Sequence, residues 1–139
     1  MLTYLDTCIV IYWVEGPPEF EARAKAHLSG LQKAGYKFAV SDLTKMECWV
    51  KPLGIGDGAL LLDYQKAFLA ANIANLTLSS SVFLHAADIR GRSKYATGKN
   101  YSFVDSLHLA AAIEAGCDRF LSNDARLLGF GDIAVEILP

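Results

Sequence analysis

Leu2-Thr-Tyr-Leu-Asp6 decides the fold. It is a short, mostly apolar run ending on an acid, and it reads as a strand buried in a sheet. Thr7 to Val14 follows as a short helix, ended by Gly16-Pro17-Pro18. Glu19 to Ala34 predicts a second helix. Its Phe20, Ala24, Leu28 and Leu31 share a face, Pro18 suits the first turn, and Gly35 lies just past the end. Tyr36 to Val40 returns to strand. Ser41 caps a helix to Lys51 that Pro52 stops, and Gly54-Ile-Gly-Asp-Gly58 is a flexible connection. The alternation continues with a helix at Ala59–Ala71, a strand at Leu76–Leu78, a helix from Ser81 to Lys94 and a polar loop from Tyr95 to Tyr101. A helix at Ser102–Ala115, a strand at Arg119–Ser122, a helical turn at Asp124–Leu128 and a strand at Ala134–Leu138 complete it. That order predicts an α/β domain with a mainly parallel sheet covered on both faces. Right-handed crossovers bring the strand C-terminal ends to one edge, where ligands of such sheets bind.

The chain has 139 residues, which predicts one domain, 1–139, with a substantial core. It is 53% hydrophobic with a mean hydropathy of +0.25, so either the core is generous or some apolar surface meets a partner. Apolar stretches are broken by charge before membrane-spanning length, and no basic leader precedes the first apolar run. Cys8, Cys48 and Cys117 form no CxxC pair, which fits a reducing, cytoplasmic setting. The net charge of −2 excludes a globally basic nucleic-acid binder. Any such contact must use a local patch, and Arg90, Arg92 and Lys94 supply one, unless they only complement a helix end.

Four acids fall at element ends or on a short helix: Asp6, Glu47, Asp105 and Asp124. Each has a local role available. Asp6 and Asp124 suit helix caps, Asp105 lies three residues after Ser102 as in a capping box, and Glu47 suits a solvated helix face. Asp6 and the Ser122-Asn-Asp124 turn fall at the strand edge where ligands bind, so convergence of the four acids is a topological expectation. Like charges held close raise one another's pKa, and hard Mg²⁺ or Mn²⁺ relieves that repulsion. The pattern therefore points to metal-dependent chemistry on phosphate.

Leu5-Asp6-Thr7, Ser41 and Thr44 ahead of Glu47, Asp105-Ser-Leu-His-Leu-Ala-Ala-Ala112, and Leu121-Ser-Asn-Asp124 together resemble the motifs of PIN-domain ribonucleases. The likeness is to VapC-type toxins of toxin–antitoxin pairs, and it covers nearly the whole chain. It implies a five-stranded parallel sheet of order 3-2-1-4-5 and Mg²⁺- or Mn²⁺-dependent cleavage of RNA. It implies Asp6 and Asp105 as principal metal ligands, with Asp124 completing the site directly or through water. Glu47 binds a second ion or accepts a proton. Ser122 matches a small hydroxyl residue that orients the attacking water, and Thr7 the polar neighbour of the first acid. Cys8 departs from the serine of many relatives, and a soft thiol is a poor Mg²⁺ ligand. The resemblance also implies a homodimer and a cognate antitoxin that lays apolar side chains in a groove and sets a basic residue over the carboxylates. The alternatives are an RNA-processing PIN-like nuclease without an antitoxin, and a catalytically silent binding module whose acids are caps.

His27, His85 and His108 show no metal spacing, and His108 reads as a packed helix residue with a satisfied ring. Tyr12, Trp13 and Trp49 read first as core and second as partner surface.

Overall fold

The computed structural model describes residues 1–139. Strand β1 is Leu2–Leu5, followed by helices α1 (Thr7–Glu15) and α2 (Pro18–Lys33), and then β2 (Lys37–Ser41). Helices α3 (Asp42–Ile55) and α4 (Gly58–Phe68) lead to β3 (Ile73–Leu76). Helix α5 (Ser80–Arg92) runs into a π-helical turn, Ser93–Thr97. Helix α6 (Phe103–Glu114), β4 (Arg119–Ser122), a 3₁₀ turn at Ala125–Leu127 and β5 (Ala134–Ile137) complete the chain.

All five strands are parallel, in the order β3-β2-β1-β4-β5. β1 therefore lies in the middle, paired with β2 through Tyr4 and Ala39 and with β4 through Leu5 and Leu121. Strand side chains alternate between faces. Tyr4, Ala39 and Phe120 point to a core built with α5 and α6, through Val82, Ala86, Ile89 and Leu109 to Ala112. Leu5, Phe38, Val40 and Leu121 point to a second core against α1 to α4, with Ile9, Val10, Leu28, Tyr64 and Phe68. The short apolar runs of β1, β2 and β4 follow from this, since beyond their first residues they are buried on both faces, whereas the edge strands β3 and β5 are partly exposed.

Three elements differ from the sequence expectation. The third strand is Ile73–Leu76 rather than Leu76–Leu78, because Phe38 and Val40 set its register opposite Ile73 and Asn75. Helix α3 runs past Pro52 to Ile55 and ends on Gly56 in the left-handed region at φ 69°. The segment expected as a loop at Tyr95–Tyr101 begins inside the π-helical turn, whose Ser93 is buried and donates to the Arg90 carbonyl.

Phe120 is fully buried on β4 and stacks on Tyr4 with ring centroids 5.3 Å apart. Phe120→Ala is expected to cost about 3–5 kcal/mol in urea unfolding, the range for truncating a buried aromatic.

Candidate active site

Every sequence-predicted acid lies at the C-terminal rim of the sheet or on a helix that begins there. The caps foreseen for Asp6, Asp105 and Asp124 form and hold those carboxylates in place, whereas Glu47, expected on a solvated helix face, is half-buried and bonded to Thr7 and His108. Asp6 caps α1, its Oδ1 accepting the Thr7 amide at 2.9 Å. Its backbone amide donates to the Leu121 carbonyl at 2.9 Å, which locks the end of β1 to β4. Asp105 and Ser102 form a capping box at α6, with Oδ2 accepting the Ser102 amide at 3.1 Å and Ser102 Oγ accepting the Asp105 amide at 3.0 Å. Asp124 caps the 3₁₀ turn through the Arg126 amide at 3.0 Å. A cap fixes the direction of its own side chain, so local role and site role coexist.

Hydrogen bonds join these groups. Ser122, fully buried at the end of β4, donates to Asp6 Oδ2 at 2.7 Å and accepts the Asp124 amide at 3.0 Å. Arg126 spans Asp124 and Asp105, with Nη2 at 2.5 Å from Asp124 Oδ2 and 3.4 Å from Asp105 Oδ2. On the other side, the Thr7 hydroxyl donates to Glu47 Oε1 at 2.8 Å. His108 Nε2 lies 2.6 Å from the same oxygen, and neither bond falls on Oε2. A single run thus leads from Glu47 through Thr7, Asp6, Ser122, Asp124 and Arg126 to Asp105.

His108 is the neighbour of these acids that the sequence underrates. Its ring is satisfied, as expected, but one of its partners is Glu47. It is 1% exposed, with Nδ1 2.7 Å from the Tyr4 hydroxyl, which in turn donates to Ser41 Oγ at 2.8 Å. The only signal in the chain is its place three residues after Asp105, on the same helix face.

The charges are compensated unequally. Burial pushes the Asp6 carboxyl above the usual range, against the pull of His108 and the Ser122 hydroxyl. Burial also acts to raise Glu47, but the hydrogen bond and charge of His108 and the Thr7 hydroxyl prevail and hold it low. The Arg126 guanidinium holds Asp124 low. Burial, with the Asp6 charge, pushes the Cys8 thiol up to about 11.

No three acidic, imidazole or thiol groups stand around a common point as a ready cage. The donor set is nevertheless hard oxygen, which suits Mg²⁺ or Mn²⁺. A cationic guanidinium already lies between Asp124 and Asp105, so that position takes positive charge. Asp6, Asp105 and Asp124, with Glu47 beside them, are the carboxylates that supply such oxygens along this rim.

Arg90 and Arg92 of the basic stretch have partners within the chain, while Lys94 is exposed. Arg90 donates to the Tyr101 carbonyl at 2.7 Å and to Asn100 at 2.9 Å, and it lies over the Phe103 ring at 4.7 Å. It thereby anchors the segment leading into α6. Arg92 pairs with Asp88 and Asp132, and Lys94 lies over the Tyr95 ring at 5.2 Å. Tyr12, Trp13 and Trp49 pack partly buried against the core beside α1 to α4. No helix is long and apolar enough to cross a membrane.

Residues 3–134 match the PIN domain family model. The chain belongs to the PIN-domain family. Among solved structures it is similar to VapBC2 from Rickettsia felis bound to a promoter DNA fragment, with 16% identity, 100% of each chain covered and a TM-score of 0.81. It is also similar to VapC20 of Mycobacterium tuberculosis, a sarcin–ricin loop cleaving toxin, with 14% identity, 94% of this chain and 98% of that one covered, and a TM-score of 0.68. FitAcB from Neisseria gonorrhoeae shares 20% identity over 96% of this chain and 95% of that one, with a TM-score of 0.67. Comparison with curated proteins gives no match. At these identities the structural likeness concerns the fold, which matches the expected strand order.

The two buried-side acids differ in sign. A carboxyl raised on folding lowers stability as pH rises from its unfolded value, about 3.9 for Asp, toward its folded one. Asp6→Asn is therefore expected to raise the Tm of the protein in EDTA at pH 7. Glu47, lowered on folding, contributes stability above about 4.3 that is lost as pH falls through its folded value. Glu47→Gln should lower Tm at pH 7 and flatten the acid limb of Tm against pH, both read by circular dichroism.

Proposed function

We propose that this chain, with residues 1–139 acting as one catalytic unit, is a Mg²⁺- or Mn²⁺-dependent endoribonuclease and the toxin of a toxin–antitoxin pair. The observation that carries this reading is the unbroken hydrogen-bonded run from Glu47 to Asp105, set at the rim of a PIN-family sheet. Asp6 and Asp105 would hold the ion, with Asp124 joining directly or through water. Bound there, a divalent cation supplies Lewis acidity to a phosphoryl oxygen and lowers the pKa of water. Glu47, held ionised by His108 and Thr7, has Oε2 free of both bonds and suits acceptance of a proton from the attacking water. The Ser122 hydroxyl orients Asp6. RNA in its cytoplasmic setting is the substrate, and free Cys8, Cys48 and Cys117 suit that reducing compartment.

The surface supports a protein partner. Met46, Val50 and Leu53 expose one apolar face of α3, and a groove of about 500 Å³ beside it is lined by Trp49, Phe68 and Leu69. An antitoxin segment with apolar side chains at helical spacing would cover it.

Asp6→Asn and Asp105→Asn should each reduce Mn²⁺-dependent RNA cleavage by more than about 100-fold, beyond the range typical of residues that only support a ligand. Full activity in either variant, measured free of any partner, would overturn the assignment.

A further inference from the structure

Arg126 stands at the mouth of the site with its guanidinium spread over two of the four carboxylates. Its Nε lies 3.0 Å from each Asp124 oxygen, while Nη2 reaches both Asp124 and Asp105. The side chain is 62% exposed, and these two acids are its only side-chain partners. Arg90 and Arg92 have partners away from these acids: Arg90 donates to the Asn100 side chain and the Tyr101 carbonyl, and Arg92 pairs with Asp88 and Asp132. Arg126 alone is held by groups that the proposed function assigns to a divalent ion.

An exposed guanidinium on a long stem is a weakly held partner, whereas paired carboxylates favour a hard divalent ion. The planar fork that fits a carboxylate also fits a phosphate. A nuclease site also needs a cation for the substrate phosphates, and the chain as a whole is net acidic. Resting on the nuclease reading above, we propose that Arg126 is the phosphate-binding residue of this site, parked on Asp124 and Asp105 until a divalent cation displaces it onto the RNA backbone. In the free protein the arginine and the ion compete. With RNA bound they act on the same side.

Removing Arg126 should therefore move two binding constants in opposite directions, which loss of a merely structural side chain would not do. Mn²⁺ binding to the metal-free full chain, measured by calorimetry, is expected to tighten roughly fivefold in Arg126→Ala, the scale of one exposed ion pair. Binding of a labelled, mixed-sequence single-stranded RNA, read by fluorescence anisotropy, is expected to weaken roughly tenfold in Arg126→Ala at saturating Mn²⁺, the scale of one charge-assisted contact. In EDTA, where the wild-type arginine is parked, the variant and wild type should differ far less. Unchanged or weaker Mn²⁺ binding in Arg126→Ala overturns the proposal, as does an RNA affinity loss that is equal with and without Mn²⁺. Asp105→Asn separates this from failure of the site itself. If it abolishes Mn²⁺ binding while Arg126→Ala leaves it untouched, only the role of Arg126 falls. If Asp105→Asn binds Mn²⁺ as tightly as wild type, the site reading falls and the proposal with it.

Discussion

Negative charge gathered at one sheet edge must be neutralised group by group, and that constraint shapes the rim of this protein. Glu47 meets a buried imidazole and a hydroxyl, Asp124 a guanidinium, and Asp6 one amide and one hydroxyl. The three solutions differ in strength. His108 is enclosed, so its contact with Glu47 is little screened. Arg126 is solvated, and its hold on Asp124 and Asp105 is correspondingly weak. Asp6 has no cationic side chain in direct contact, and burial lifts its carboxyl above the usual range. The deepest acid is therefore the one with most to gain from an added cation.

A stiff support makes this arrangement possible. β1 is paired on both sides and buried on both faces, so the Asp6 backbone has almost no freedom. The Tyr4 side chain passes from the core under α6 to the site, stacking on Phe120 at its ring and meeting Ser41 and His108 at its hydroxyl. Packing below thereby sets the orientation of the imidazole that meets Glu47. Asp6 and Ser122 are held at strand ends, Asp105 in the first turn of α6, and Glu47 and His108 one turn further along α3 and α6, rather than by long loops, which suits chemistry that depends on placement.

The acids were legible because their positions follow from topology. An acid after a buried strand in a parallel sheet falls at the ligand-binding edge, and Ser102 with Asp105 carries its capping signature openly. The capping expectation holds for Asp6, Asp105 and Asp124, and hydrogen bonds through Ser122 and Arg126 link the same three residues. Other features gave weaker signals. Asn75 in the third strand bears no β-branched pattern, and only pairing with β2 places it. Pro52 looked like a stop but lies inside the last turns of α3. Arg90 and Arg92 looked available for phosphate, yet their partners Tyr101 and Asp132 are 11 and 40 residues away.

By itself the amino-acid sequence determined the alternation of strands and helices, the caps, and which acids share an edge, because these depend on local propensity and on handed connections. Tertiary structure alone decided what each charge touches. His108 meets Glu47 across 61 residues and Arg126 meets Asp105 across 21. Such contacts arise from helices packing on a common sheet, and no spacing within one segment encodes them.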